Sequence, residues 1–349
     1  MFFAGTTNRR VGIARLPLGS AALQTLLLRL VTSLSSTDKL IIAIVGPTAS
    51  GKSDLGIELA LRFKGEIINC DSVQVYRGIE IATAKVPLAE RRGVPHHLLD
   101  FVPPAVNFTA GAWVEAAIAK IEEIERRGHL AMLVGGTGFY LRALRQPFFP
   151  SLPTDERLRA RLTAIRERRG AAHLHKMLRR LDPASAVRLH ARDWSRVQRA
   201  LEVRLQTGEP ISRRRSICPL PHACAARLHI FALSPPRAEL YRRIDERTAH
   251  HFRAGLVEEV SRLLAEGVPA ASNALGAHGY RRAVEHLRGE RTLESALEQT
   301  KLDVRHYAKR QLTWFRREPG VEWIEGFGDT REVQERVAAR VRALVESTG

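Results

Sequence analysis

The chain has 349 residues, enough for about two domains or for one domain with a large insertion. Hydrophobic residues make up 44% and charged residues 26%, an ordinary globular composition that excludes wholesale disorder, a collagen repeat and a mucin-like stalk. Lys and Arg number 55 against 37 Asp and Glu, a formal net charge of +18, and a surplus of that size points to a polyanionic partner such as nucleic acid.

The three cysteines, Cys70, Cys218 and Cys224, are odd in number and widely spaced. Neither a disulfide framework nor a structural zinc site is expected, and a reducing, cytoplasmic setting fits. The apolar run at 26–31 is interrupted by Arg29 and falls far short of the ~20 residues needed to cross a bilayer, so no membrane partner is expected.

Residues 1–37 contain no acid and carry Arg9, Arg10, Arg15 and Arg29 among small and apolar residues. That pattern resembles an organellar transit peptide; a start placed too far upstream and a frayed basic tail are the other readings. In each case the segment 1–38 is expected to be disordered or removed and stands outside the fold. From Lys39 the pattern becomes α/β. Residues 40–45 form a short unbroken apolar run, as in a strand buried on both faces. A glycine-rich turn follows, then a helix over 52–63 and a second strand over 66–70. Residues 113–127 form an amphipathic helix that stops at Gly128, and 130–134 read as another buried strand ending in Gly135-Gly136-Thr137-Gly138. Strands alternating with helices predict a parallel, doubly wound sheet.

Past Pro147 the texture changes. Residues 155–205 are Arg-rich and helical, 228–233 read as a strand, and the chain from Arg237 onward is mainly helix, including 240–253 and a basic stretch at 300–317. A Pro-, Arg- and Cys-rich loop is expected around 210–221. The expected division is therefore an extension (1–38), the first part of the core (39–150), a helical insertion (151–205), and a continuation of the core with basic C-terminal helices (206–349).

Gly46-Pro47-Thr48-Ala49-Ser50-Gly51-Lys52-Ser53 matches G-x-x-x-x-G-K-[ST], between a buried strand and an amphipathic helix. Glycines let the backbone curl so that successive N–H groups face phosphate oxygens, and the helix adds its positive N-terminus. Lys52 supplies a mobile cation, and the Ser53 hydroxyl is placed to ligate Mg²⁺ carried by the phosphates. The fold class is thus α/β, a P-loop-type parallel sheet with flanking helices and a helical insertion. The motif gives phosphate binding without saying which phosphorylated molecule binds.

Asp71-Ser72-Val73-Gln74-Val75-Tyr76 follows the second strand, at the sheet edge where ligands bind. A carboxylate there can act as a base or a metal ligand; it can also simply cap a helix. Thr137, among the glycines after the strand at 130–134, offers a hydroxyl to the same crevice, or belongs to a plain turn. The His96-His97 and His250-His251 pairs lack metal-ligand spacing. Trp314 reads as core more readily than as a base-stacking platform.

At this point the sequence resembles the tRNA dimethylallyltransferases (tRNA isopentenyltransferases). The resemblance is carried by the phosphate loop, the Asp71–Gly78 stretch, Thr83-Ala84-Lys85, Pro95–Asp100, Gly135–Tyr140, Arg199–Val203, Arg243–Arg247 and Arg305–Gln311 with Trp314. It runs from about Leu40 to Trp323. Leu275-Gly276-Ala277-His278-Gly279-Tyr280-Arg281 departs from the pattern, which has an apolar residue before Gly-Tyr.

The resemblance implies transfer of a dimethylallyl group from dimethylallyl diphosphate to N6 of the adenosine 3′ of the anticodon, in tRNAs reading codons that begin with U. It implies Asp71 as the base, and Lys52, Thr137 and Arg247 on the diphosphate with the loop residues 46–53 and Mg²⁺. Gln74 suits an adenine edge, and the base must leave its stack to react. The implied RNA-contacting residues are Asp71, Ser72, Val73 and Gln74 at the crevice. Beside the insertion they are Gln198, Arg199, Ala200, Leu201 and Glu202, and in the basic C-terminal helix Arg305, Lys309, Arg310 and Gln311. The anticodon stem-loop and the donor are the expected partners of a monomer. The alternatives are a P-loop kinase and a nucleic-acid-binding ATPase. Against both, residues 130–134 run into Gly-Gly-Thr rather than into an acid.

Overall fold

The unbroken apolar run after Leu40 becomes β1 (Ile41–Val45), buried along its whole length, with Ile41, Ala43 and Val45 packed to one side and Ile42 and Ile44 to the other. The computed structural model describes residues 39–146, 155–216 and 221–348. The segment 1–38, read as a basic extension, and residues 217–220, which hold Cys218, lie outside the described residues.

After β1 come α1 (Lys52–Arg62), β2 (Gly65–Asn69) and β3 (His96–His97). Next are α2 (Ala110–Arg126), β4 (Leu130–Val134) and α3 (Gly138–Arg145). Thr109 caps α2 by accepting the Ala112 N–H, and Gly128, at φ 76°, ends it in the left-handed conformation the sequence required. Five helices follow: α4 (Glu156–Arg169), α5 (Ala171–Leu181), α6 (Pro183–Arg188), α7 (Trp194–Thr207) and α8 (Ile211–Ser216). Where a loop was expected from Pro210, α8 adds a short helix, held by Ser212, whose hydroxyl and N–H both donate to the buried Asp182. β5 (Leu228–Ser234) returns the chain to the sheet. It leads into α9 (Arg237–Arg253), α10 (Leu256–Ala265), α11 (Tyr280–Leu287) and α12 (Leu293–Phe315), then β6 (Val321–Glu325) and α13 (Arg331–Thr348).

The six strands form one parallel sheet in the order β3-β2-β4-β1-β5-β6. β1 sits between β4 and β5, so the loop after β1 emerges flanked by the ends of both. Helices α2 and α3 cover one face through residues such as Trp113, Ile121 and Leu141; α1 and α13 cover the other through Leu55, Leu59, Val337 and Val341. The sequence reading missed β3, which is only two residues long, and β6, an edge strand whose first three residues are half exposed. Buried Glu66 on β2 supports that end of the sheet. Arg127, His97 and His129 all bond its carboxylate, and the Arg127 guanidinium foremost holds its pKa down to about 2.

The helices between α3 and β5 have a core of their own, in which Leu162, Leu174 and Leu178 meet Val197, Leu201 and Ile211. A third cluster joins α10 and α11 to the segment after β2 through Leu256, Tyr280, Val75 and Tyr76. α9 packs on α12 through Leu240, Ile244 and Ala308. Among the described residues no helix is long and apolar enough to cross a membrane.

Candidate active site

Three strand ends meet at one crevice. β1 runs into the phosphate loop, β2 into Asp71 and β4 into Gly135, while β5 leads to α9 and its Arg247. Gly51, at φ 78°, turns the chain into α1, a conformation a side chain would strain. The Lys52 ammonium lies inside the loop and donates to the Pro47 carbonyl at 2.6 Å. Burial lowers its pKa to about 8; the Asp71 charge opposes the shift and the Arg247 charge adds to it. The Arg247 guanidinium bonds the Thr48 hydroxyl, and burial lowers its pKa too, again against Asp71. Ser50 is fully buried and its hydroxyl has no partner among the described residues. An orphaned donor in a loop that faces two half-buried cations, Lys52 and Arg247, is a cradle for phosphate oxygens.

Asp71 is half buried, and one of its oxygens accepts the Val73 N–H at 2.8 Å and the Gln74 N–H at 3.4 Å. It therefore does cap the turn after β2, and its carboxylate also borders the cavity that holds Lys52 and Arg247. Asn69 fixes this turn from behind by bonding both the N–H and the C=O of Asp71. The Thr137 hydroxyl accepts the Ser72 N–H at 2.9 Å and donates to the Ser72 hydroxyl, tying the β4 loop to the β2 loop. The Gln74 amide nitrogen is spent on the Thr83 and Ala84 carbonyls, so only its oxygen is left for a ligand.

The glycines after β4 make room for close packing between elements. A Cβ on Gly135 would stand 2.2 Å from the Cys70 backbone, one on Gly136 2.1 Å from the Gln311 amide, and one on Gly138 2.1 Å from the Trp314 ring. They are there so that β2 and α12 can close on the loop.

Gln311 lies inside the protein and not on its surface. Expected on RNA, it is 5% exposed; it accepts the Thr48 N–H at 2.8 Å and donates to the Gly136 carbonyl at 2.9 Å. In α7, Ala200 and Leu201 lie in the insertion's core, Gln198 and Glu202 are buried, and Glu202 is bonded by Arg159 and Arg199. These four side chains have no surface to offer RNA, because the α7 face that carries them is the one turned to α4 and α5. Arg305 is not an unpaired cation either: it is paired with Asp245 of α9. Lys309 and Arg310 are exposed, and among the described residues neither makes an ion pair. A further basic groove, lined by Arg168, Arg169, His173, Lys176 and Arg180, runs along the insertion. Trp314 packs against the core beneath Arg142, with Phe139 at its edge.

Tyr307 was not singled out. It lies one turn before Gln311 on the same face of α12, reaches the Thr137 side chain, and has its pKa raised by burial and by Asp71. The i, i+4 spacing to Gln311 was the available signal. With Thr48, Asp71, Thr83, Ala84 and Arg247, Tyr307 borders both the phosphate cavity and a second, smaller cavity of about 190 Å³. Val73, Phe252, Leu256 and Val304 give this side cavity an apolar lining. The arrangement therefore sets a phosphate cradle, a carboxylate and an apolar recess side by side.

The family model described as IPP transferase matches residues 74–318. The chain belongs to that family. It is 48% identical to the tRNA dimethylallyltransferase of Solibacter usitatus over 86% of this chain and 97% of that one. It is 46% identical to that of Geobacter metallireducens over 82% and 92%. Among solved structures it resembles the full-length tRNA isopentenylpyrophosphate transferase of Bacillus halodurans, with 36% identity, a TM-score of 0.65, and coverage of 89% of this chain and 98% of that one. It also resembles a eukaryotic dimethylallyltransferase acting on tRNA, with 29% identity, a TM-score of 0.71, and coverage of 88% and 78%.

Proposed function

We propose that this protein transfers a dimethylallyl group from dimethylallyl diphosphate to N6 of the adenosine 3′ of the anticodon, in tRNAs reading codons that begin with U, and releases diphosphate. The observation that carries the reading is the position of Asp71, on the border between the phosphate cradle and the apolar side cavity. A carboxylate there faces C1 of a donor whose diphosphate lies in the loop and whose tail lies in the recess.

Lys52 and Arg247 neutralise the charge that grows on the diphosphate as the C1–O bond breaks, and the Ser50 hydroxyl adds a donor. Asp71 accepts the proton that N6 loses as the new C–N bond forms; an exocyclic amine is a weak nucleophile without such an acceptor. Among the described residues no group of three His, Cys, Asp or Glu side chains could hold a metal by itself. The site fits Mg²⁺ held through the donor's own phosphate oxygens and the Ser53 hydroxyl, where it would supply charge neutralisation. The adenosine reaches Asp71 only if it leaves its stack. Lys309, Arg310 and the groove on the insertion supply cations for the phosphates of an anticodon stem-loop. The setting we infer is the cytoplasm, with buried thiols Cys70 and Cys224 unpaired.

The test is incubation of the protein with dimethylallyl diphosphate, Mg²⁺ and bulk tRNA without ATP, followed by mass analysis of the nucleosides. An adenosine heavier by one dimethylallyl group is the expected product. Product only with ATP, accompanied by ATP cleavage, would return the kinase or ATPase reading.

A further inference from the structure

The side cavity is not uniformly apolar. Five side chains in its wall carry polar atoms beyond those shared with the phosphate cavity: Ser72, Thr248, His251, His278 and Thr300. The Ser72 hydroxyl is engaged by Thr137, and the two threonine hydroxyls are spent inside their own helices, Thr248 on the Ile244 carbonyl and Thr300 on the Ala296 carbonyl, each at 2.7 Å. The two imidazoles are not. Among the described residues, neither His251 nor His278 has a hydrogen-bond partner; His278 leans on the Tyr307 ring at 5.0 Å, and His251 lies beside the His250 ring. Burial lowers the pKa of both, that of His251 to about 4, and the nearby Arg247 and Arg310 act in the same direction. Each is therefore a neutral ring at pH 7, with one N–H and one bare nitrogen.

His278 stands immediately before Gly279-Tyr280. The wall is tight at Gly279, where a Cβ would lie 3.3 Å from Leu256 and 3.4 Å from Ala82. The cavity opens on Asp71, Arg247 and Tyr307, which it shares with the phosphate cavity. A five-carbon tail that begins at the diphosphate and passes Asp71 thus enters a small cavity whose wall carries the two imidazoles. A purely hydrocarbon tail would bury both without a partner, which is the costly way to bury a polar group.

We propose that this pocket selects a five-carbon allylic diphosphate bearing a hydroxyl on its terminal carbon, with His278 and His251 as the residues that recognise the hydroxyl. The inference rests on the transferase reading above. The chemistry balances as before. N6 attacks C1, the C1–O electron pair leaves on diphosphate, and the N6 proton passes to Asp71. The terminal hydroxyl is carried into the product unchanged.

The experiment is a competition in which equal concentrations of dimethylallyl diphosphate and 4-hydroxydimethylallyl diphosphate react with one tRNA pool, and the two product nucleosides are counted by mass. The hydroxylated product should predominate by about 3- to 10-fold, the worth of one added hydrogen bond in a buried site. His278→Leu and His251→Leu should each move the ratio toward the unhydroxylated product, with melting temperature as the control for folding. A ratio of one or below in the unmutated protein overturns the inference without any variant, as does a ratio that neither substitution moves. A rise in tRNA KM at constant ratio would also overturn it, because the imidazoles would then face the base. No transfer from either donor removes this inference together with the reading on which it rests.

Discussion

Gln311 and Thr48 lie 263 residues apart in sequence and are joined by a 2.8 Å hydrogen bond. The Gln311 amide thereby fastens the phosphate loop to the far end of α12, and its nitrogen holds the loop after β4 by the Gly136 carbonyl. Gln311→Ala leaves the buried Gly136 carbonyl and the half-buried Thr48 N–H without their partner. It should cost about 1–3 kcal/mol for each group that water cannot reach, measured by urea denaturation, and should raise the donor KM. A variant with unchanged stability and donor KM but weak tRNA binding would restore Gln311 to the RNA interface.

Asp71 both caps a turn and faces the reacting atoms, and two substitutions separate these roles. Asn at position 71 keeps an acceptor for the Val73 N–H and loses the basic carboxylate. Asp71→Asn should lower turnover by about 10²–10⁴-fold with the melting temperature and tRNA affinity near those of the parent, whereas Asp71→Ala should lose stability as well. Single-turnover assays with the Asn variant decide the matter. Activity within a few-fold of the parent would reduce Asp71 to a cap.

Lys52 sets a pH dependence on donor binding. Its pKa in the free protein is lowered to about 8, chiefly by burial, so the ammonium is present below that pH and is lost above it. The charged form is the one that attracts diphosphate. Donor affinity, followed by calorimetry from pH 6.5 upward, should therefore fall as pH rises through about 8. Lys52→Gln should bind weakly with no such inflection. An inflection that survives in Lys52→Gln would assign the titration to another group.

The basic helix α12 divides into two kinds of cation. Lys309→Gln with Arg310→Gln should lower the salt slope of tRNA binding by about 1.4, or by about 1.8 if both face duplex phosphates. Arg305→Gln should leave that slope alone and lower the melting temperature, because Asp245 loses its partner. The measurement is tRNA affinity across a salt series for the three proteins. A shallower slope in Arg305→Gln would place that guanidinium on RNA after all.

The alternation of apolar runs with amphipathic helices, Gly128 as a helix stop, and the spacing from Gly46 to Ser53 are local properties. They were legible in the sequence because backbone sterics and periodicity act over a few residues. So was the meeting of the strand ends at one crevice, since a parallel sheet puts them at one edge. Which side of each helix faces inward at a crossing was not legible. α7 carries Arg199 among Gln198, Ala200, Leu201 and Glu202, and only packing against α4 and α5 buries those four neighbours. Arg305, read as a cation for RNA, meets Asp245 because α9 crosses α12 there. β6 is an edge strand whose pairing with β5 spans some 90 residues of chain, so no local pattern announces it. Gln311, Tyr307, His251 and His278 are ordinary helix or loop residues by sequence; only the closure of α9, α11 and α12 over the sheet edge brings them to the cavity. The local code chose the elements and the phosphate loop, and contacts between residues far apart in the chain decided which side chains line the site.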